Sequence, residues 1–289
     1  MRLAPPDPDT LRRAVGAALA EDLGERGDIT SAAVVPAEAE ARASLVARER
    51  MVVAGLAAAR EVFRQIDATI AFVPLVDEGA AVEADTVVAR ASGRARALLA
   101  GERTALNFLQ RMSGIATATR DAVAEIEGTG AVVLDTRKTV PGLRRLDKHA
   151  VEAGGGVNHR MGLHDAAMVK DTHLGVGGSL GDAVRACLAA GIPREAITAE
   201  VRDERELAEA IEAGAGRALL DNMDLGLLAA CVARGRGRIV LEASGGLRPG
   251  ALRPVAETGV DALSLGYLTH SVRAADLAMD LEPLPRGDR

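Results

Sequence analysis

Short apolar runs that each close on a polar residue recur through the second half of this 289-residue chain, and their spacing restricts the fold more than any other feature. The runs are AVVLDT (131–136), AAMVKD (166–171), ITAEV (197–201), ALLDN (218–222), IVLEAS (239–244) and DALSLG (261–266). The closing residues Lys170, Glu200, Asp221, Ser244 and Ser264 lie 30, 21, 23 and 20 residues apart, the length of one strand plus one helix and its turns. Helical segments such as GDAVRACLAAG and ERELAEAIEAG fill the intervals, and several close on Gly as a helix C-terminus should. The alternation predicts βα units around a parallel sheet. In a βα barrel the C-terminal strand ends converge on one face, which carries the chemistry. Here those ends present Arg137/Lys138, Lys170, Glu200, Asp221, Ser244 and Ser264, a mixture of cations, carboxylates and small residues that reads as an active site.

Before about Gly130 the pattern differs. A helix capped near Asp9 and stopped by Gly24 precedes the strand-like runs ARASLVARERMVVAG, AFVPLV and TVVARASG, with a helix from about Leu56 to Ile66 between the first two. A helical segment from Ala97, ALLAGERTALNFLQRM, then leads through Ser113-Gly114 into a second helix, IATATRDAVAEIEG. Mixed strands and helices of this kind predict a small α+β domain ahead of the βα units.

Positive charge has its own pattern. All three lysines, Lys138, Lys148 and Lys170, fall in one window, and 35 Lys+Arg minus three Lys leaves 32 Arg. His149, His159, His164 and His173, four of the five histidines, crowd the same stretch. An ammonium is a compact mobile charge and a guanidinium a planar fork, so a chain that otherwise uses arginine keeps lysine where a polyanion needs it. The net charge of −6 disfavours a general nucleic-acid or anionic-membrane binder, so any anion must sit in a local cationic pocket. With Phe 3, Tyr 1 and Trp 0, stacking platforms for single strands are absent and the core must be Ala, Val, Leu and Ile. No apolar leader or membrane-length run occurs, and Cys187 and Cys231 lack metal-ligand spacing, so a soluble cytoplasmic protein with reduced thiols is expected.

The stretch 136–171, TRKTVPGLRRLDKHAVEAGGGVNHRMGLHDAAMVKD, supplies Arg137, Lys138, His159, Arg160 and Lys170. Arginine pairs suit planar carboxylates, lysines suit phosphates, and Gly154-Gly155-Gly156 and Gly162 allow tight, N–H-presenting loops. Glu200 and Asp221 in a cationic pocket fit a divalent metal or sugar hydroxyls, or structural ion pairs with neighbouring arginines. Ser244-Gly245-Gly246 and Leu265-Gly266-Tyr267 follow the last two strands, the usual place for a phosphate in a barrel. Arg103 reads locally as a solvated charge on a helix face. His164, His173 and His270 show no metal-binding spacing.

GERTALNFLQRMSGIAT, DTRKTVPGLR, KHAVEAGGGVNHRMGL, MVKDTH, LLDNM, LEASGG and LSLGYLTHS, in this order, resemble quinolinate phosphoribosyltransferases over residues 9–275. The resemblance implies phosphoribosyl transfer from phosphoribosyl pyrophosphate (PRPP) to quinolinate with loss of CO2, giving nicotinate mononucleotide and pyrophosphate. It implies an α/β fold with an N-terminal α+β sandwich domain (1–112), an open, incomplete (β/α) barrel (113–270) and a tail (271–289) packing back on the first domain. Arg137, His159, Arg160 and Lys170 match residues that hold the quinolinate carboxylates, and Arg103 one that enters from the neighbouring subunit of a homodimer or higher oligomer. Lys138, Glu200 and Asp221 match residues serving PRPP and its Mg²⁺. Ser244, Gly245, Gly246, Leu265, Gly266 and Tyr267 match the loops around the ribose 5-phosphate. His149 stands where an aromatic is usual, and Tyr267 where a small residue is common; both bear on substrate fit.

Two other readings compete. Lys170 at a strand end could form a Schiff base, as in an aldolase-like lyase, although one activated lysine would not need so many cations. A relative could also keep the fold with another acceptor or a binding role, against which Arg137, Arg160 and Lys170 together favour a dicarboxylate acceptor.

Overall fold

The computed structural model describes residues 3–284, so the last five residues of the expected tail, 285–289, lie outside the described residues. The chain forms two compact units: Met1–Arg120 with Val140–Gly155 and Val272–Arg289, and Asp121–Thr139 with Gly156–Ser271.

The first unit opens with the helix Pro8–Leu23. Its cap is Asp7, two residues before the position expected: Pro8 fixes the first turn, and the Asp7 carboxylate accepts the Thr10 N–H at 2.9 Å. The strands β1 (Glu40–Ala47), β2 (Met51–Val52), β3 (Ala71–Pro74), β4 (Ala81–Val82) and β5 (Val87–Arg94) follow, with the helix Leu56–Ile66 between β2 and β3. The main sheet is antiparallel with order Leu277–Pro283, β1, β5, β3, and β2 pairs separately with β4. In β1 Ala41, Ala43 and Leu45 are buried and alternate with Glu40, Arg42 and Ser44, the period-2 pattern of a sheet with one covered face. The C-terminal strand Leu277–Pro283 pairs with β1 from Ala41 opposite Pro283 to Ala47 opposite Leu277.

Ala95–Glu125 is one continuous 31-residue helix, not two joined at Ser113-Gly114. Those two residues look like a break but serve packing. Ser113 Oγ donates to the Ala54 carbonyl at 3.1 Å, and a Cβ on Gly114 would fall 2.2 Å from the Arg273 carbonyl oxygen. The expected domain divide at 112/113 therefore falls inside this helix. The stretch 136–171 also hides a helix, Arg144–Gly154, whose Leu146, Ala150, Val151 and Ala153 join the core of the first unit. Asp147 on it is buried and receives Arg111 in a two-pronged bond of 2.9 and 2.7 Å.

The second unit holds β6 (Val132–Leu134), β7 (Ala167–Val169), β8 (Ile197–Val201), β9 (Arg217–Asp221), β10 (Val240–Ser244) and β11 (Ala262–Ser264). Each falls within a run marked by the sequence or within one residue of it. All are parallel, in the order β6-β11-β10-β9-β8-β7, with helices Leu180–Ala189, Glu204–Ala213, Leu225–Gly235 and Leu252–Glu257 between successive strands. The first strand joins the last, while β6 and β7 occupy opposite ends of the sheet, so the barrel is open between them. Val157 lies along the free side of β6, donating its N–H to the Val133 carbonyl at 2.8 Å. No helix among the described residues is long and apolar enough to cross a membrane.

Candidate active site

Strand register determines which side chains meet. Thr198 pairs with Met168, which puts Lys170 level with Glu200; Glu200 pairs with Leu219, and Leu219 with Glu242. Two residues further along, on the same face, Asp221 pairs with Ser244, which stands level with Ser264. Apart from Thr198, these side chains, with Arg137, Lys138, His159 and Arg160, line a cavity of about 410 Å³ at the C-terminal strand ends, a size usual for small-molecule sites. The lining holds four full cations (Arg137, Lys138, Arg160, Lys170) and three carboxylates (Glu200, Asp221, Glu242).

Lys170 Nζ donates to Glu200 Oε2 at 2.7 Å, and Asp221 Oδ2 accepts the Asn222 amide at 2.8 Å. Burial, together with the charge of neighbouring Arg137, pushes the Arg160 guanidinium below its ordinary pKa. Arg137 and Arg160 both line this partly buried wall, which suits it to an anion. Arg160 is aimed by a 2.9 Å bond from Nη1 to the Ala166 carbonyl. Lys138 is exposed, its N–H turned onto Thr136 Oγ1 at 3.0 Å and its carbonyl held by Thr269 Oγ1 at 2.8 Å.

Ser244, Gly245 and Gly246 follow β10 and line the cavity. Gly245 and Gly246 have φ of +93° and +62°, left-handed values that favour glycine, and with no side chain they let the cavity wall come close to a ligand as bare backbone. Leu265, Gly266 and Tyr267 stand beside the cavity and are not in its lining. Leu265 is buried, and a Cβ on Gly266 would meet the Lys138 stem at 3.0 Å, so this glycine makes room for the lysine. Tyr267 starts the short helix Tyr267–His270, its phenol pushed up to about 12 by burial.

Arg103 is exposed on the helix Ala95–Glu125 of the first unit and does not line the cavity. Lys148 is fully buried on the helix Arg144–Gly154. The lysine window thus splits, with Lys138 and Lys170 at the cavity and Lys148 in the first unit. His149 Nε2 faces Glu78 Oε1 at 3.3 Å, and His173 caps the helix that starts at Asp171 by accepting the Lys170 N–H at 3.0 Å.

Sequence reasoning missed Glu242 and Asn222. Glu242 has no exposed surface, receives Ser264 Oγ, and lies 3.1 Å from Arg217 Nη1 and 3.3 Å from His159 Nε2. The available signal was a lone carboxylate within an apolar strand, two residues before Ser244 and so on its face. Asn222 has φ of +53°, and its side chain packs against the Gly245 backbone.

The sequence matches the family models described as quinolinate phosphoribosyl transferase, N-terminal domain, over residues 28–113, and C-terminal domain, over residues 115–280. It is 42% identical to the nicotinate-nucleotide pyrophosphorylase [carboxylating] of Mycobacterium leprae, covering 94% of this chain and 96% of that protein. It is 40% identical to the probable nicotinate-nucleotide pyrophosphorylase of Bacillus subtilis, covering 90% of each. Among solved structures, the nicotinate-nucleotide pyrophosphorylase from Francisella tularensis superposes with a TM-score of 0.90 at 35% identity, covering 98% of this chain and 99% of that one.

Proposed function

The chain belongs to the quinolinate phosphoribosyltransferase family, and from that premise we propose how its own residues carry out the transfer. The reaction joins quinolinate to the ribose of PRPP, releases pyrophosphate and CO2, and gives nicotinate mononucleotide for NAD biosynthesis. The observation that carries the assignment of roles is the Arg137–Arg160 pair: like charges crowded into one wall match an acceptor with two adjacent carboxylates.

Quinolinate and PRPP are both polyanions, and uncompensated they repel. Arg137, Arg160 and Lys170 receive the acceptor carboxylates, with His159 shaping the wall, and turn the pyridine nitrogen toward the anomeric carbon. Lys138 meets the diphosphate as a mobile charge and stabilises it as it leaves. Glu200 and Asp221 sit on one face of adjacent strands, where they can hold the ribose hydroxyls as the sugar gains oxocarbenium character. Glu200 and Asp221, two hard oxygen donors at the cavity, are the residues that would hold a magnesium ion. That ion would neutralise charge on the departing pyrophosphate. Once ribosylated, the cationic ring accepts the electron pair of the breaking C2–carboxylate bond, and C2 then takes a proton. No lysine adduct is required, and the bond from Lys170 to Glu200 keeps that amine in ion-pair use.

Ser244-Gly245-Gly246 take the 5-phosphate on backbone N–H groups, flanked by Leu265-Gly266-Tyr267. A Cβ on Gly245 would lie 2.3 Å from Asn222 Oδ1, on a backbone at φ +93° that disfavours a side chain by about 1–2 kcal/mol. Gly245→Ala is therefore expected to raise the KM for PRPP while leaving that for quinolinate close to its starting value. An unchanged KM for PRPP would remove the loop from the phosphate site.

The site is completed by Arg103 of a second copy in a homodimer or higher oligomer. The free thiols of Cys187 and Cys231 support a cytoplasmic setting; that of Cys231 is pushed up to about 11 by burial and is unreactive. The direct test of the activity is CO2 release from quinolinate in the presence of PRPP and Mg²⁺, with nicotinate as the control acceptor. Release without PRPP, or equal use of nicotinate, would refute it.

A further inference from the structure

Glu242 lies mid-strand in β10 with no exposed surface, its carboxylate facing the cavity. A buried carboxylate is tolerated only when its oxygens are filled. Burial raises its pKa, but His159, Ser264 and Arg217 together carry it below the ordinary glutamate value. On the opposite edge of the imidazole, His159 Nδ1 accepts the Arg160 N–H at 2.6 Å, which leaves the ring proton on Nε2, facing Glu242 Oε2 at 3.3 Å. The backbone of the same histidine is held by Asp135, whose Oδ1 accepts the His159 N–H at 2.8 Å. The ring thus connects a buried carboxylate on β10 to the main chain of Arg160, in the segment that follows the Val157 bridge beside β6.

We propose that Glu242 is a positioning residue for the acceptor pocket: it fixes His159 as the Nε2–H tautomer, and His159 in turn fixes the main chain that aims the Arg160 guanidinium at a dicarboxylate. The inference rests on the reading that Arg160 and Arg137 bind quinolinate. The effect of Glu242 passes through the ring, as that of an outer carboxylate passes through an orienting histidine in other enzymes.

Glu242→Gln keeps the volume and one acceptor oxygen while removing the charge. It is expected to raise the KM for quinolinate by about 10–100-fold, the range for losing an outer partner of a binding histidine, with the KM for PRPP little changed. In a His159→Ala background the same substitution is expected to add little, because the two residues act in series. Additive losses, or a loss falling equally on both substrates, would overturn the inference. Imidazole ¹⁵N shifts of the unaltered protein supply an independent test: His159, identified by the signals absent from His159→Ala, should show a protonated Nε2 and a bare Nδ1. A protonated Nδ1 would refute the tautomer whether or not Glu242→Gln folds. Arg160→Ala separates the two layers of the argument. If it leaves the KM for quinolinate unchanged, the acceptor reading fails; if it raises that KM and Glu242→Gln does not, only the role of Glu242 fails.

Discussion

Arg137→Ala is expected to lower kcat/KM for quinolinate by about 3–4 kcal/mol, a loss of several-hundredfold, as for removal of a principal electrostatic donor from an active site. The size follows from where Arg137 stands. It lines the cavity wall beside Arg160, close enough for its charge to depress the neighbouring guanidinium, so two carboxylates entering there relieve repulsion as well as gaining bonds. Arg137→Lys should recover little, since an ammonium cannot present a planar fork to a carboxylate. Lys138→Ala should cost a similar amount, but its loss should appear in kcat, because the ammonium acts on charge that develops as pyrophosphate departs. Steady-state kinetics with each substrate varied in turn would separate the two. Near-normal turnover in both alanine variants would remove the assignment of this wall to the reaction.

The second large effect concerns Arg103, which is exposed on a helix of the first unit and does not line the cavity. Arg103→Ala is expected to reduce kcat/KM by about 10²–10³-fold, the range for losing one donor to a reacting centre. If the arginine reaches the site of a second copy, mixing inactive Arg103→Ala and Arg137→Ala chains should restore activity. A mixed dimer has one site with an intact Arg137 wall and an intact Arg103 from the other chain. Random exchange then yields about a quarter of all sites complete, by the symmetry of an isologous dimer. No recovery after exchange, verified by mass measurement of the mixed dimer, would show that Arg103 does not act across chains.

The barrel half was legible because its information is local. Each strand is a short apolar run, each closing polar residue marks the same end, and the Asp or Ser caps and closing glycines of the intervening helices lie within a few residues of them. The first unit was less legible because its decisive contacts are distant. Ser113-Gly114 reads as a break until Ala54 and Arg273 are seen against it. Leu277–Pro283 reads as a tail until its partner, more than two hundred residues earlier, is known. The site follows the same division. Lys170, Glu200, Asp221 and Ser244 were found from position alone. Glu242 was missed because its meaning lies in His159, in the segment after the Val157 bridge, and in Arg217 on β9. Arg103 enters the proposed site only through family resemblance, since by local pattern it is one more arginine on a helix.

The pairing of Leu277–Pro283 with β1 has a consequence for synthesis. During translation β1 emerges early, and the strand that covers its outer side is made only after the whole barrel. Until then Ala41–Ala47 is a sheet margin with unfilled backbone N–H and C=O groups, open to pairing with the same segment of another nascent chain. The barrel unit, nearly contiguous in sequence, has all its strands beforehand. Every strand of the barrel is therefore synthesised before the strand that closes the N-terminal sheet.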